Sequence, residues 1–340
     1  MNTKINRLSW PDYGKAICML IIMLFHTELI YLGDTSLFTE LVFYHTSVVF
    51  FFYISGYLTT VENFSFKKSI ESLLKRLLIP YFIFSTIIYI PKQLIHGWDF
   101  DILKMIEDIF GGIASWFVAA LIVSKLIQSI VLKFTKNFYV IGIIFLLLSI
   151  CGFILTHYLP PPIYWRVNFA FISMIYLFIG MLYKKYEHII SKKKVSVAIC
   201  STILYFALSF LILDSDIWFY IYGLNVGKVA VLPVLVYLFI SVIGILMTTS
   251  LVKLIPTGIK WLAYIGVNSL TYYYLNTGLL LVLTTIMNKI GLTEIYPWFT
   301  LPLYLIVVIL LTFASEIILR FAPWMVGYSK KKLINNQKKE

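Results

Sequence analysis

The chain has 340 residues, of which 60% are hydrophobic and only 13% are charged, and its formal net charge at pH 7 is +12. With a mean hydropathy of +0.89, this composition excludes a soluble globule with a polar surface and indicates an integral membrane protein. Membrane topology and anionic lipid are a sufficient cause for the basic excess, so we expect no nucleic-acid partner.

Apolar runs near the length of about 20 residues that crosses a bilayer recur along the chain, and they predict an all-α, polytopic transmembrane helical bundle with about ten spans. The runs cover residues 16–32, 41–60, 77–95, 112–132, 138–156, 168–183, 195–213, 229–250, 262–287 and 300–321. The loops between them are too short for a soluble domain, so we expect residues 1–340 to form a single integral-membrane domain.

The distribution of lysine and arginine predicts the orientation in the membrane, because cytoplasmic loops carry most of these residues. An even number of spans places both termini on one side of the membrane, and that side carries all but five of the 28 lysine and arginine residues. The exceptions are Lys92, Lys104, Arg166, Lys228 and Lys289. We therefore expect cytoplasmic N- and C-termini and an uncleaved first span, since no small-x-small cleavage site follows it.

The first span carries the most informative polar residues. Lys15 and His26 flank the apolar run Ala16 to Phe25. A spacing of eleven residues brings a helix back to within about 20° of its starting face and about 16 Å further along. Asp12 lies one turn from Lys15, close enough to neutralise it. Ionisable residues inside a membrane usually mark functional sites; the alternative is that Lys15 snorkels to lipid phosphate and His26 is a packing residue.

Two further residues are candidates by position. His45 opens the second predicted span at the depth of His26, so both histidines can face one cavity; the alternative is an interfacial histidine. Arg166 follows a proline turn and is one of few cations on the predicted outer side, where it can bind an anionic glycan or a neighbouring carbonyl. The cysteines lack CxxC spacing, so the sequence predicts no metal site.

These motifs resemble the acyltransferase 3 family of bacterial membrane acyltransferases that modify sugars. Lys15 and His26, preceded by Asp12, are similar to the family's Arg/Lys-x10-His signature. The segment FFFYISGYL (Phe50 to Leu58), which includes Ser55, resembles its FFFxSGY block. His45, five residues before that block, is similar to the branch related to fucose 4-O-acetylases.

Four more blocks match in chain order. KRLLIPYFIFS (Lys75 to Ser85) resembles the family's start of the third span, and Trp116-Phe117 its tryptophan-phenylalanine pair. YLFIGMLYKK (Tyr176 to Lys185), with Gly180, resembles the family's helix that ends in a glycine. GVNSLTYYYLN (Gly266 to Asn276) resembles a Gly-x-Asn-Ser-Leu-x-x-Tyr-x-x-His block, but Asn276 stands where histidine is common, which limits that position to hydrogen bonding.

The resemblance implies transfer of an acyl group, most often acetyl, from cytoplasmic acyl-CoA to a hydroxyl of a glycan or lipid-linked sugar at the bacterial plasma membrane. Acyl-CoA would be a co-substrate, with no permanently bound cofactor. Lys15 would hold a CoA phosphate, and His26 would be the general base, although a route through acyl-histidine stays open. The candidates for substrate binding are His45, Ser55, Trp116, Arg166 and Asn276.

Two other classes of function fit a polytopic chain. A glycan exporter or flippase would move polymer independently of acyl-CoA, and it has no evident need of a charged stripe on the first helix. A structural or regulatory membrane subunit would leave the intramembrane Lys15 and His26 without a function.

Overall fold

The computed structural model describes residues 8–42, 46–95, 101–212, 231–292 and 296–328. These ranges contain helices and turns and no strand, which confirms the predicted all-α class. The helices are α1 (Trp10–Tyr31), α2 (Leu37–Val42), α3 (Val48–Tyr57), α4 (Phe66–Leu73), α5 (Ile79–Ile95), α6 (Ile102–Phe110), α7 (Trp116–Phe134), α8 (Phe138–Tyr158), α9 (Val167–Ile172), α10 (Met174–Ile190), α11 (Lys194–Ile212), α12 (Val231–Val252), α13 (Lys260–Val267), α14 (Ser269–Lys289) and α15 (Thr300–Phe321).

The number of candidate spans among the described residues is smaller than the number of predicted apolar runs. Within the described ranges, eight helices are long and apolar enough to cross a membrane, against ten predicted runs. The run 41–60 contains α3, which has 10 residues and at 1.5 Å per residue reaches about half the hydrocarbon thickness. The runs 168–183 and 195–213 fall into one helical stretch, Met174–Leu211, which continues through a 3-10 turn at Ser191–Lys193.

Helix α1 lies at the centre of the bundle. It packs against α3, α12, α13, α14 and α15. Over its most apolar 18 residues, α1 has 56% of its residues buried in the bundle, and α7 has 61%. The corresponding stretches of α8 and of Pro297–Phe321 have only 22% of their residues buried. The helices with low burial therefore face lipid, and the ionisable residues of α1 stand inside the protein.

Small residues bring two pairs of helices close together. A Cβ added at Gly56 of α3 would collide with the carbonyl oxygen of Leu177 on α10, and one added at Gly180 of α10 would collide with the carbonyl oxygen of Tyr53. A Cβ at Gly266 of α13 would collide with the carbonyl oxygen of Asp12. Such contacts between backbones are typical of membrane helices packed through small residues.

A buried polar network fixes the first turn of α1 to the helices around it. The ammonium of Lys253, the residue directly after α12, donates to the Glu187 carboxylate at 2.6 Å and to the Tyr183 hydroxyl at 2.8 Å. It also lies 4.9 Å from the centre of the Trp10 ring. The Tyr57 hydroxyl of α3 donates to the same carboxylate at 2.7 Å. Helices α1, α3 and α10 are thus joined to the end of α12 at this point.

Candidate functional site

A cavity of about 980 Å³ opens beside the first turns of α1. Its wall is formed by five segments of the chain: the first half of α1 with Leu8, residues 51–77 from α3 through α4 to the turn before α5, the first half of α7, residues 267–273 at the start of α14, and Val326 with Tyr328 near the end of the described chain. The exposed side chains of Lys68 and Arg76 stand at its surface end. Met19 and Phe117, which are 1% and 5% exposed, lie at its inner end. The cavity therefore runs from the protein surface into the bundle.

The charge of this wall is strongly positive. Its ionisable lysine, arginine and carboxylate residues are Asp12, Lys15, Lys68, Arg76 and Lys125. Among the described residues that line the cavity, four cations thus accompany a single carboxylate. Because apolar walls lower the local dielectric, the field of these cations favours an anionic ligand.

The predicted pairing of Asp12 with Lys15 is confirmed. The Lys15 ammonium lies 2.8 Å from the Asp12 carboxylate, and the two side chains are 18% and 8% exposed. Helix α1 begins at Trp10 with Pro11 in its first turn, where a proline needs no intrahelical donor and an acidic side chain complements the helix dipole. Local helix chemistry therefore positions this pair on the cavity wall.

His26 lies further along α1 and is not part of the cavity lining. It is half-buried, and its ring packs edge-on against Phe25 with centroids 5.5 Å apart. Within the described part of the chain, neither imidazole nitrogen has a hydrogen-bond partner. The cavity wall reaches Met19 on the same helix, about 10 Å below His26 at 1.5 Å per residue. The structure thus brings Asp12 and Lys15 together and keeps His26 apart from them.

The candidates for substrate binding are scattered. Ser55 lines the cavity. Trp116 is not in the lining, and it packs on Phe169 and on Phe117 with centroids 5.5 and 6.1 Å apart. The Asn276 side chain is 1% exposed, and within the described ranges both polar atoms of its amide lack a hydrogen-bond partner. His45 lies outside the described residues.

Arg166 occupies a strained loop between α8 and α9. Trp165 and Arg166 are consecutive non-glycine residues with φ of 54° and 48°, a region that costs about 1–3 kcal/mol per residue and is frequent at functional sites. The Arg166 Nε is buried without a hydrogen-bond partner in the described part of the protein. Burial lowers the pKa of its guanidinium. These features keep Arg166 among the candidate ligand-binding residues.

Sequence reasoning missed Lys125, which it counted only among the lysine and arginine residues of the predicted cytoplasmic side. The structure places it in the middle of α7, facing the cavity. Its ammonium donates to the Gln128 side-chain oxygen at 2.6 Å and to the Thr59 hydroxyl at 3.2 Å. The signal was available, because a lysine in the middle of an apolar run is as costly as Lys15.

The bundle and its cationic cavity define a multi-pass membrane protein, and comparison with known families gives its class. A family model described as an acyltransferase domain matches residues 8–320. The chain therefore belongs to the acyltransferase 3 family and is a membrane acyltransferase. The match is to the family as a whole, so the branch suggested by His45 stays a prediction. No curated protein and no solved structure shows significant similarity to the chain.

Proposed function

We propose that the protein is an O-acyltransferase of a bacterial plasma membrane, with both termini in the cytoplasm. It would move an acyl group, in the first instance acetyl, from cytoplasmic acyl-CoA to a hydroxyl of a cell-surface glycan or lipid-linked sugar. The observation that carries this proposal is the cationic cavity at the base of α1, the helix that also bears His26. It suits a donor with phosphates at one end and a long uncharged arm.

The donor would enter with its phosphates among the cations of the cavity. Lys15 would contact one phosphate as a point charge while Asp12 keeps its ammonium in position. The pantetheine arm would then extend along α1 from Met19 toward His26, a distance of about 10 Å. The resemblance of Lys15 and His26 to the family signature supports this division of roles.

His26 would be the general base. A sugar hydroxyl is a weak nucleophile because its pKa lies far above 7, and imidazole is well matched to take its proton near neutral pH. In the direct route, the hydroxyl oxygen forms the new ester bond to the acyl carbon as its proton passes to His26. The carbon–sulfur bond breaks, and the departing thiolate takes the proton to give CoA. In the route through acyl-histidine, an imidazole nitrogen of His26 forms the bond to the acyl carbon as the carbon–sulfur bond breaks, and the imidazole proton goes to the departing thiolate to give CoA. The sugar hydroxyl then displaces the imidazole from the acyl carbon, and its proton returns to His26.

Turnover of labelled acetyl-CoA by membranes that contain the protein tests this proposal, with lipid-linked sugars as acceptors. The expected result is acceptor-dependent release of CoA together with label in the sugar. The control is the His188→Ala variant, which alters an exposed histidine of α10 and should transfer normally. Absence of transfer across a broad acceptor panel, with glycan translocation independent of acyl-CoA, would favour the exporter instead.

A further inference from the structure

Lys125 differs from Lys15 in the way its charge is balanced. Its ammonium makes three contacts, to the side-chain oxygen of Gln128 at 2.6 Å, the Thr59 hydroxyl at 3.2 Å and the Ser55 carbonyl oxygen at 3.4 Å. All three acceptors are neutral. In the described part of the chain no carboxylate forms an ion pair with Lys125, whereas Lys15 has Asp12 at 2.8 Å.

The neutral acceptors are themselves held in place. The Thr59 hydroxyl donates to the Ser55 carbonyl oxygen at 2.9 Å, and the Gln128 amide nitrogen lies 3.6 Å from the Met181 sulfur. Gln128 is 1% exposed. The side-chain oxygen of Gln128 therefore keeps its orientation toward Lys125. The ammonium is positioned before any ligand arrives, which lowers the ordering cost of binding.

A cation in a membrane span without a counter-charge is costly, and its usual explanation is a functional ligand. Lys125 faces the same cavity as Lys68 and Arg76. These three cations come from two segments of the chain, the helical stretch that holds Lys68 and Arg76 and the middle of α7, so they suit a ligand with more than one phosphate group. A lysine that only extended its ammonium to the lipid surface would not need the three oriented acceptors of Gln128, Thr59 and Ser55, which together form the cradle of Lys125.

We propose that Lys125 is a donor-binding residue whose missing counter-charge is a phosphate of the acyl donor. The inference rests on the proposed function, because it identifies the ligand as an acyl-CoA. The phosphate would join the ammonium of Lys125, while Gln128 and Thr59 retain their hydrogen bonds to it. Since Lys15 is already neutralised by Asp12, Lys125 supplies the larger share of the uncompensated positive charge at the inner part of the cavity.

Binding of coenzyme A to the purified full-length protein tests this role, with Lys125→Gln to remove the charge and Lys125→Arg to retain it. The matched control is Lys133→Gln, on the same helix, because Lys133 is exposed, rests on Phe66 and Phe134, and lies outside the cavity. We expect Lys125→Gln to weaken binding about tenfold, and Lys125→Arg and Lys133→Gln less than threefold. Binding of pantetheine, which lacks phosphate, should not change.

A kinetic measurement separates donor binding from a general structural role. For a binding residue, Lys125→Gln raises KM for acetyl-CoA and leaves kcat near the wild-type value. Wild-type protein gives a second test that does not depend on how a variant folds. Coenzyme A should protect Lys125, and not Lys133, from an amine-reactive label detected by peptide mass spectrometry. Unchanged affinity in Lys125→Gln, or no protection of Lys125, overturns the inference.

The outcomes also separate this inference from the proposed function. Transfer by wild type with the same acetyl-CoA KM in Lys125→Gln removes the role of Lys125 and leaves the acyltransferase proposal intact. If wild type shows no acyl-CoA turnover but binds pyrophosphate in a manner that depends on Lys125, the anion site stands and the donor assignment fails. If the wild-type protein shows neither acyl-CoA turnover nor pyrophosphate binding, both the role of Lys125 and the proposed function are overturned.

Discussion

Gly266 lies directly against the backbone of Asp12. A Cβ at this position would collide with the Asp12 carbonyl oxygen and would lie 2.6 Å from its carbonyl carbon. Only a glycine allows α13 to approach the first turn of α1 so closely. Since Asp12 forms the ion pair with Lys15 on the cavity wall, this contact between backbones fixes the position of the pair relative to α13.

Replacement of this glycine should therefore disturb both stability and the site. We expect Gly266→Ala to destabilise the protein by about 1–3 kcal/mol, as overpacking of a tight contact does, and to raise KM for acetyl-CoA. Thermal unfolding of the detergent-purified protein measures the first effect. Gly278→Ala on α14 is the control, because its Cβ would have only Ile88 at 3.5 Å. Equal melting temperatures for the two variants would contradict the prediction.

The second prediction concerns His26. If it is the general base, His26→Ala should lower kcat for acyl transfer about 10²- to 10⁴-fold. Binding of coenzyme A should stay near the wild-type value, because His26 lies outside the cavity lining. Initial rates and binding measured on the same preparation give both quantities. Normal transfer by His26→Ala at normal protein levels would remove the proposed base.

The third prediction concerns the charge of Lys15. Lys15→Ala should raise KM for acetyl-CoA with a smaller change in kcat, because a contact to a remote phosphate is made equally in the ground and transition states. Lys15→Arg keeps the charge and should restore most of the affinity. Lys75→Ala is the control, since Lys75 is 60% exposed and pairs with Glu71 outside the cavity. A KM that stays at the wild-type value in Lys15→Ala would speak against a phosphate contact.

The contrast between Lys15 and Lys125 shows how far sequence reasoning reaches. Asp12 and Lys15 are three residues apart on one helix, so helix periodicity alone predicts their contact. The cradle of Lys125 combines Gln128 of its own helix with Thr59 and Ser55 from the end of α3. That grouping depends on how α3 packs against α7. A single sequence carries no information on this register.

The sequence also did not predict how far the cavity extends along α1. Helix periodicity places Lys15 and His26 on one stripe, but the wall of the cavity is built from five segments of the chain and reaches only Met19 on α1. Hydropathy had a similar limit with the spans. It registers apolar length, so it treats α3 as a full span although the helix has 10 residues.

The fourth prediction uses the buried amide of Asn276. Both of its polar atoms lack partners among the described residues, so Asn276→Leu removes a desolvated group without breaking a hydrogen bond, and the melting temperature should stay the same or rise. If the amide binds the acceptor, kcat/KM for the sugar should nevertheless fall about tenfold, the loss expected for a polar contact of about 1.4 kcal/mol. Asn288→Leu, at an exposed position of the same helix, should change neither quantity. A lower melting temperature with unchanged transfer would instead assign Asn276 a purely structural role.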